Sequence, residues 1–158
     1  MLKGIIFDFM RTLYNPEKGE LFDGVLPMLT SFKEKGIKQG LVSFGGGEKR
    51  RLLFNLGLTS VFDWYRVVED KTPEVFQDFL SKFSLKPEEV LVVGDLVNKE
   101  VAIGKRIGAK TVWINHESPF ANPREFMDIR GENSWYITPD YTIDNIAKLS
   151  EIVGKLAY

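Results

Sequence analysis

Residues 4–14 read GIIFDFMRTLY, and the interpretation of the whole chain turns on them. Ile5, Ile6 and Phe7 form a continuous apolar run, the pattern of a strand buried on both faces. Asp8 follows at once, where such a strand would end. Two residues on, where a second acid would suit a hydrolase, the chain has Met10. The stretch therefore poses a question about chemistry as well as fold: it carries one half of a paired-carboxylate site.

The rest of the chain bounds the answer. Its 158 residues suit one domain, 1–158, with enough length for a sizeable core. Hydrophobic residues make up 44% and charged residues 27%, the balance of a soluble globular protein. The net charge is −1 with no long basic run, which argues against nucleic-acid or membrane-surface binding driven by charge. There is no cysteine, which excludes a thiol nucleophile, a disulfide framework and a cysteine-ligated metal; a single histidine, His116, excludes a multi-histidine zinc site. The start MLKGIIFDF is too short for a signal-peptide core, and no window approaches a membrane span, so the expectation is a cytoplasmic protein.

Apolar runs alternate with helical patterns. After the first strand and a polar stretch, Val25, Leu26, Leu29 and Phe32 lie at helical spacing, with Lys33 and Lys35 near the end and Gly36 available as a left-handed cap. IKQGLVSF predicts a second strand, and a helix from about Glu48 to Leu56 stops at Gly57. WYRVVED predicts a third strand. TPEVFQDFLSKF has Thr72 as N-cap, Pro73 at the first helical position and Glu74 in the first turn. EVLVVGD is the most strand-like run; NKEVAIGKRIGA predicts a helix ending near Gly108, and KTVWIN a fifth strand. A short last strand is expected within YITPDYTI, before a closing amphipathic helix, DNIAKLSEIVGKLA. This order predicts an α/β fold: a three-layer, Rossmann-like parallel sheet with helices on both faces and no separate cap domain.

Ligands of such sheets bind beyond the carboxyl ends of the strands. The residues there are Asp8 and Thr12 after the first strand, Ser43 at the second, Lys71 after the third and Asp95 after the fourth. Glu100, five residues past Asp95, can fold back over the same mouth from the first turn of the next helix. Bare clustered carboxylates repel, and some take up protons. Hard oxygen ligands without His or Cys suit Mg²⁺, which removes that penalty and welcomes a phosphate-shaped anion; Lys71 and the two hydroxyls could hold its remaining oxygens.

These motifs resemble those of the haloacid dehalogenase-like (HAD) hydrolases, in order and over nearly the whole chain, to the closing PDYTIDNIAKL. The family's first motif, Asp-x-Asp-Gly-Thr-Leu, appears as DFMRTL, matching at Asp8, Thr12 and Leu13. The second appears as GLVSF with Ser43, the third as DKTPEVF with Lys71, and the fourth as VLVVGDLVNKE with Asp95 and Glu100. The resemblance implies a phosphatase in which Asp8 attacks phosphorus and water hydrolyses the aspartyl-phosphate. It also implies Mg²⁺ held by Asp8, Asp95 and the backbone carbonyl of Met10, with Glu100 near the metal, and a phosphoryl group gripped by Thr12, Ser43 and Lys71. The substrate would be a small phosphorylated molecule or a larger phosphorylated one.

Four departures from the pattern carry consequences. Met10 stands where the family's phosphatases have the Asp that protonates the leaving oxygen and then activates water. Such help is worth about 10²–10⁴-fold, so turnover should be slow unless the leaving group needs no proton, as in an acyl or aryl phosphate. Arg11 replaces the usual Gly of a tight turn, and must adopt it at a cost or reshape it; its guanidinium would reach an anionic substrate or point to solvent. Lys71 lies one residue later than the commoner spacing, counted from Phe76. The segments Asp8–Ser43 and Ser43–Lys71 leave little room for a cap, and capless members often borrow closure from a neighbouring subunit, which leaves a homo-oligomer open.

Two rival readings follow: a HAD-like binding or regulatory domain that keeps the metal site without efficient turnover, and a metal-independent hydrolase of the dehalogenase kind. Elsewhere the expectations are plainer. His116 reads as a loop residue; Lys49, Arg50 and Arg51 read as a solvated helix face, with a phosphate or partner patch as the alternative; and the glycines of SFGGG read as a flexible turn, with close approach of backbone N–H groups to an anion as the alternative. Trp64, Trp113 and Trp135 show no stacking-platform pattern.

Overall fold

The computed structural model describes residues 1–117, 120, 122 and 137–157. The expectations for Trp135 and for most of the polar segment from His116 to Ser134 lie outside them. In chain order the elements are β1 (Gly4–Phe7), β2 (Tyr14–Asn15), β3 (Glu20–Leu21), α1 (Val25–Glu34), β4 (Lys38–Phe44), α2 (Gly47–Asn55), β5 (Trp64–Val68), α3 (Pro73–Phe83), β6 (Val90–Gly94), α4 (Ala102–Ile107), β7 (Lys110–Ile114), β8 (Tyr141–Ile143) and α5 (Leu149–Leu156). Six strands form one parallel sheet in the order β5-β4-β1-β6-β7-β8, and β2 pairs with β3 as a separate hairpin.

The apolar run that opened the sequence is the centre of this sheet. Ile6 sits beside Gly40 of β4 on one side and Val92 of β6 on the other. A strand paired on both edges and covered on both faces has no solvent side, hence the unbroken run. Side chains still alternate. Ile5 and Phe7 join a core with Leu41, Leu91, Val93 and helices α1, α2 and α5. Ile6 joins a second core with Val42, Val90, Val92 and helices α3 and α4. Two apolar layers thus enclose the sheet, the three-layer α/β architecture expected from the sequence.

Strand order reverses at β1: the chain moves outward to β4 and β5, then returns to β6 on its other side. Such a switch point opens a crevice at the carboxyl ends of the two central strands. Asp8 is placed there by its own backbone, since its N–H donates to the Val93 carbonyl at 2.9 Å.

Several boundaries shift from the expectations. The third strand ends at Val68, so Glu69 and Asp70 belong to the following turn. Thr72 occupies the N-cap of α3 in extended conformation, yet its side chain makes no capping bond; Pro73 supplies the start by lacking the N–H that would need a partner. The helix expected from NKEVAIGKRIGA begins as a π-helical turn, Val97–Val101, and becomes α-helical at Ala102. Gly36 has φ 79° just beyond α1, and Gly108 has φ 87° at the end of α4. Among the described residues, no helix is long and apolar enough to cross a membrane.

Candidate active site

Five of the six side chains singled out around the carboxyl edge of the sheet converge on one spot. Asp8, Asp95 and Glu100 each offer a carboxylate oxygen, all within 4.8 Å of one another. Lys71 lies among them: its Nζ is 2.5 Å from Asp8 Oδ1 and 2.5 Å from Glu100 Oε1. The one-residue offset in its motif is therefore absorbed by the turn after β5, and the ammonium reaches the site. The Thr12 hydroxyl, fully buried, donates to Asp8 Oδ2 in a long bond of 3.4 Å.

Glu100 is completely buried, an expensive place for a carboxylate. Two features hold it there besides Lys71. The π-helical turn folds its side chain back, so that the Leu96 N–H donates to Oε2 at 3.3 Å. Gly94 clears the space: a Cβ there would meet Glu100 Cβ and Cγ at 2.6 Å and Oε2 at 2.8 Å. Gly94 is thus a close-approach glycine, and the Gly-Asp pair ending β6 is one device: the first residue admits Glu100, the second adds its own carboxylate. The backbone of Asp95 is pinned by Trp113, whose Nε1 donates to the Asp95 carbonyl at 3.0 Å.

Electrostatics follow from this crowding. Burial, with Asp8 alongside, pushes the Asp95 carboxyl up to about 8. Burial and Asp8 push Glu100 up to about 7, Lys71 acting in the opposite sense. Burial works against the charge on Lys71, but Asp8 and Glu100 outweigh it and hold its ammonium above the usual range. A cluster of carboxylates reluctant to ionise together, all hard oxygen donors, fits Mg²⁺, a cation that would let all three do so.

Ser43 is buried at the end of β4, in the strand next to β1. Its hydroxyl donates to the Phe44 carbonyl at 3.2 Å, along its own strand, and makes no bond to the carboxylate cluster. Met10 is half-buried and packs against the larger apolar core, so the position that lacks the acid is tied to the hydrophobic interior instead. Arg11 adopts the turn expected of a glycine, at φ 60°, and its guanidinium pairs with Glu17 at 2.7 Å. It does not reshape the turn, and its guanidinium is a solvent-exposed group paired with Glu17.

Two residues near the site depart from their plainer readings. His116 is more than a loop residue: its ring stacks on Phe22, with centroids 4.5 Å apart, and its Nε2 donates to the Arg11 carbonyl at 2.5 Å. It braces the turn after β1 and, with Arg11, Asp95 and Trp113, lines a cavity of about 250 Å³ beside the cluster. Lys49, read as part of a solvated face, instead lies over the Phe9 ring, 5.2 Å from its centroid. No sequence signal marks it, because its orientation depends on how α2 docks. A larger groove of about 680 Å³ runs along edge strand β5, but none of the cluster residues lines it.

Comparison with known proteins agrees with this architecture. Residues 5–114 match the family model described as haloacid dehalogenase-like hydrolase. A glyceraldehyde 3-phosphate phosphatase from Methanopyrus kandleri is 29% identical over 142 residues, 86% of this chain and 58% of that protein. The chain thus spans little more than half the length of the curated relatives it matches first. Among solved structures, a HAD phosphatase from Thermococcus onnurineus superposes with a TM-score of 0.67 at 26% identity, over 85% of this chain and 58% of that one. An uncharacterized protein from Listeria monocytogenes serotype 4b shares the fold across 98% of both chains, with a TM-score of 0.74 at 20% identity.

Proposed function

The chain belongs to the haloacid dehalogenase-like hydrolases, and on that footing we propose that it is a Mg²⁺-dependent phosphatase working through Asp8, suited to substrates whose leaving group departs without a proton. The observation that carries this reading is the buried cluster of Asp8, Asp95 and Glu100 around Lys71 at the switch point. Asp8, Asp95, Glu100 and the Met10 carbonyl would hold the metal, which when bound offsets carboxylate repulsion and draws in phosphoryl oxygens.

Asp8 would attack phosphorus, forming a carboxyl O–P bond as the bond to the leaving oxygen breaks. Lys71 keeps the Asp8 carboxylate oriented and balances charge as the phosphoryl oxygens arrive. Thr12 and Ser43 would turn their hydroxyls from Asp8 and the Phe44 carbonyl to the phosphoryl group. Water then cleaves the aspartyl-phosphate, releasing phosphate and restoring Asp8. Met10 can neither protonate the leaving oxygen nor activate that water, so an acyl or aryl phosphate is favoured over an alkyl ester. A single capless domain is part of the proposal: between Asp8 and Ser43 the chain forms only the β2–β3 hairpin, α1 and β4.

One observation favours a second reading. Met10 packs, half-buried, against the core at the acid's position, as in a binding or regulatory domain that keeps the metal site and has no efficient turnover. An aryl phosphate assay with and without Mg²⁺, alongside Asp8→Asn and Met10→Asp, separates the two. The phosphatase releases product only with Mg²⁺, loses it in Asp8→Asn, and gains most on alkyl esters in Met10→Asp. Mg²⁺ binding without turnover in any variant would leave the binding domain; equal activity in chelator would sink the metal-dependent scheme.

A further inference from the structure

Lys49 sits where a lysine is unfavourable for α2 itself. It occupies the first turn of that helix, two residues after Gly47, where the positive end of the helix dipole repels a cation. Its ammonium makes no ion pair and no hydrogen bond with any described residue. The other cations around the site are committed: Lys71 to Asp8 and Glu100, Arg11 to Glu17.

The local backbone is nevertheless built to hold it. Gly45 has φ 139°, a conformation that favours glycine, and its N–H donates to the Val68 carbonyl at 3.1 Å. A Cβ on Gly45 would lie 2.9 Å from Lys49 Cβ and 3.2 Å from Cε. The lysine stem therefore runs across the bare face of the glycine, and the first glycine of SFGGG makes a bed for it rather than a loose turn. The ammonium ends over the ring of Phe9, the residue after Asp8, within electrostatic reach of both Asp8 and Lys71. Partial burial there holds Lys49 below the ordinary lysine range.

Depth separates the two lysines. Lys71 is at the floor, with its side chain fully buried, whereas Lys49 is half-buried at the rim. A phosphoryl group seated on Asp8 would meet Lys71 first, and Lys49 interacts electrostatically with the same Asp8, in reach of a second anionic group carried by the substrate. We propose that Lys49 is a specificity-determining residue whose ammonium receives a second oxyanion, a phosphate or a carboxylate, on the leaving-group side of the substrate. This rests on the phosphatase reading, and it gives the missing acid at Met10 a counterpart: a leaving group that departs as an anion needs a cation more than a proton.

The test is a binding measurement, independent of turnover. Methylphosphonate, methylenediphosphonate and phosphonoacetate are titrated calorimetrically at fixed free Mg²⁺ into the wild type, Lys49→Met and Lys49→Arg. At least one of the two ligands with a second oxyanion is expected to bind the wild type about tenfold more tightly than methylphosphonate, the scale of one charge-assisted contact. That ratio should fall towards one in Lys49→Met and largely return in Lys49→Arg. A preference for methylenediphosphonate assigns a phosphate, and one for phosphonoacetate a carboxylate. A wild type without preference, a wild type that binds none of the three, or a ratio unchanged in Lys49→Met overturns the proposal. Failure of the phosphatase reading would appear separately, as absence of turnover with the preference intact.

Discussion

Lys71 Nζ lies 2.5 Å from Asp8 Oδ1, a contact that joins the turn after β5 to the tip of β1 across 63 residues of sequence. The same ammonium lies 2.5 Å from Glu100 Oε1. One buried cation thereby balances carboxylates delivered by two other segments, and the stability of the cluster without metal depends on it. Replacing it leaves two buried carboxylates without their cation. Lys71→Met should lose about 3–5 kcal/mol of unfolding free energy in chelator, the usual cost of breaking a buried pair. Excess Mg²⁺ should return part of it. Urea denaturation reads both; a loss under about 1 kcal/mol would show that the ammonium does not balance the site.

The pH dependence has a definite sign. Asp95 is raised from 3.8 to about 8 and Glu100 from 4.5 to about 7. The folded protein therefore binds more protons than the unfolded chain between roughly pH 4 and 8, and stability falls as pH rises through that window. The contribution is fully present below the unfolded values and gone above the folded ones. Thermal midpoints in chelator should decline from about pH 5 to pH 8, with the decline reduced by Mg²⁺. Mg²⁺ binding at pH 7 should release protons, seen as a dependence of the calorimetric heat on buffer ionisation. A flat midpoint across the window, with no proton release, would contradict the assigned burial and crowding.

Gly94 offers a test of the π-helical turn. A methyl group in the space held by Glu100 must displace that side chain or the turn behind it. Gly94→Ala should cost about 1–3 kcal/mol, the range for overpacking a tight site. It should weaken Mg²⁺ binding as well, whereas a purely structural effect would lower stability and leave Mg²⁺ affinity as it was.

Arg11 carries a local cost that a substitution can relieve. A non-glycine residue at φ 60° is disfavoured by about 1–2 kcal/mol. Its pairing with Glu17 joins two exposed side chains and offsets little of that. Arg11→Gly should leave stability unchanged or raise it by up to about 1 kcal/mol, because the added freedom of the unfolded chain takes back part of the gain. The urea midpoint measures it, with an unchanged slope. A marked loss of stability would mean that the Glu17 pair, or the turn braced by His116, matters more than the strain.

Much of this protein is legible along the chain because its signals are local. The run Ile5–Phe7 announces a strand paired on both edges, and Leu91–Val93 a second beside it. Pro73 announces the start of a helix, and Gly36 and Gly108 the ends of two others. Glu100 is legible by its place five residues after Asp95; Asp8, Thr12, Lys71 and Asp95 are readable as a set because in a parallel sheet every strand delivers its last residues to the same edge. That follows from strand direction alone, before any distance is known. The missing acid at Met10 is equally a fact of sequence.

What the chain could not state by itself is where side chains point once elements dock. Ser43 stands at the expected strand end, yet its hydroxyl follows its own backbone. Thr72 caps by position and not by bonding. Glu100 enters the cluster through a π-helical turn, which has no residue signature and exists here because Gly94 leaves room for it. Lys49 looks in sequence like its neighbours Arg50 and Arg51. Only the docking of α2, with Gly45 bare beneath the lysine stem, turns it towards Asp8. Local propensity and periodicity decide which residues reach the carboxyl edge of the sheet. The balance of burial, charge and steric clearance between segments far apart in sequence decides which of them meet, and that balance exists only in the folded molecule.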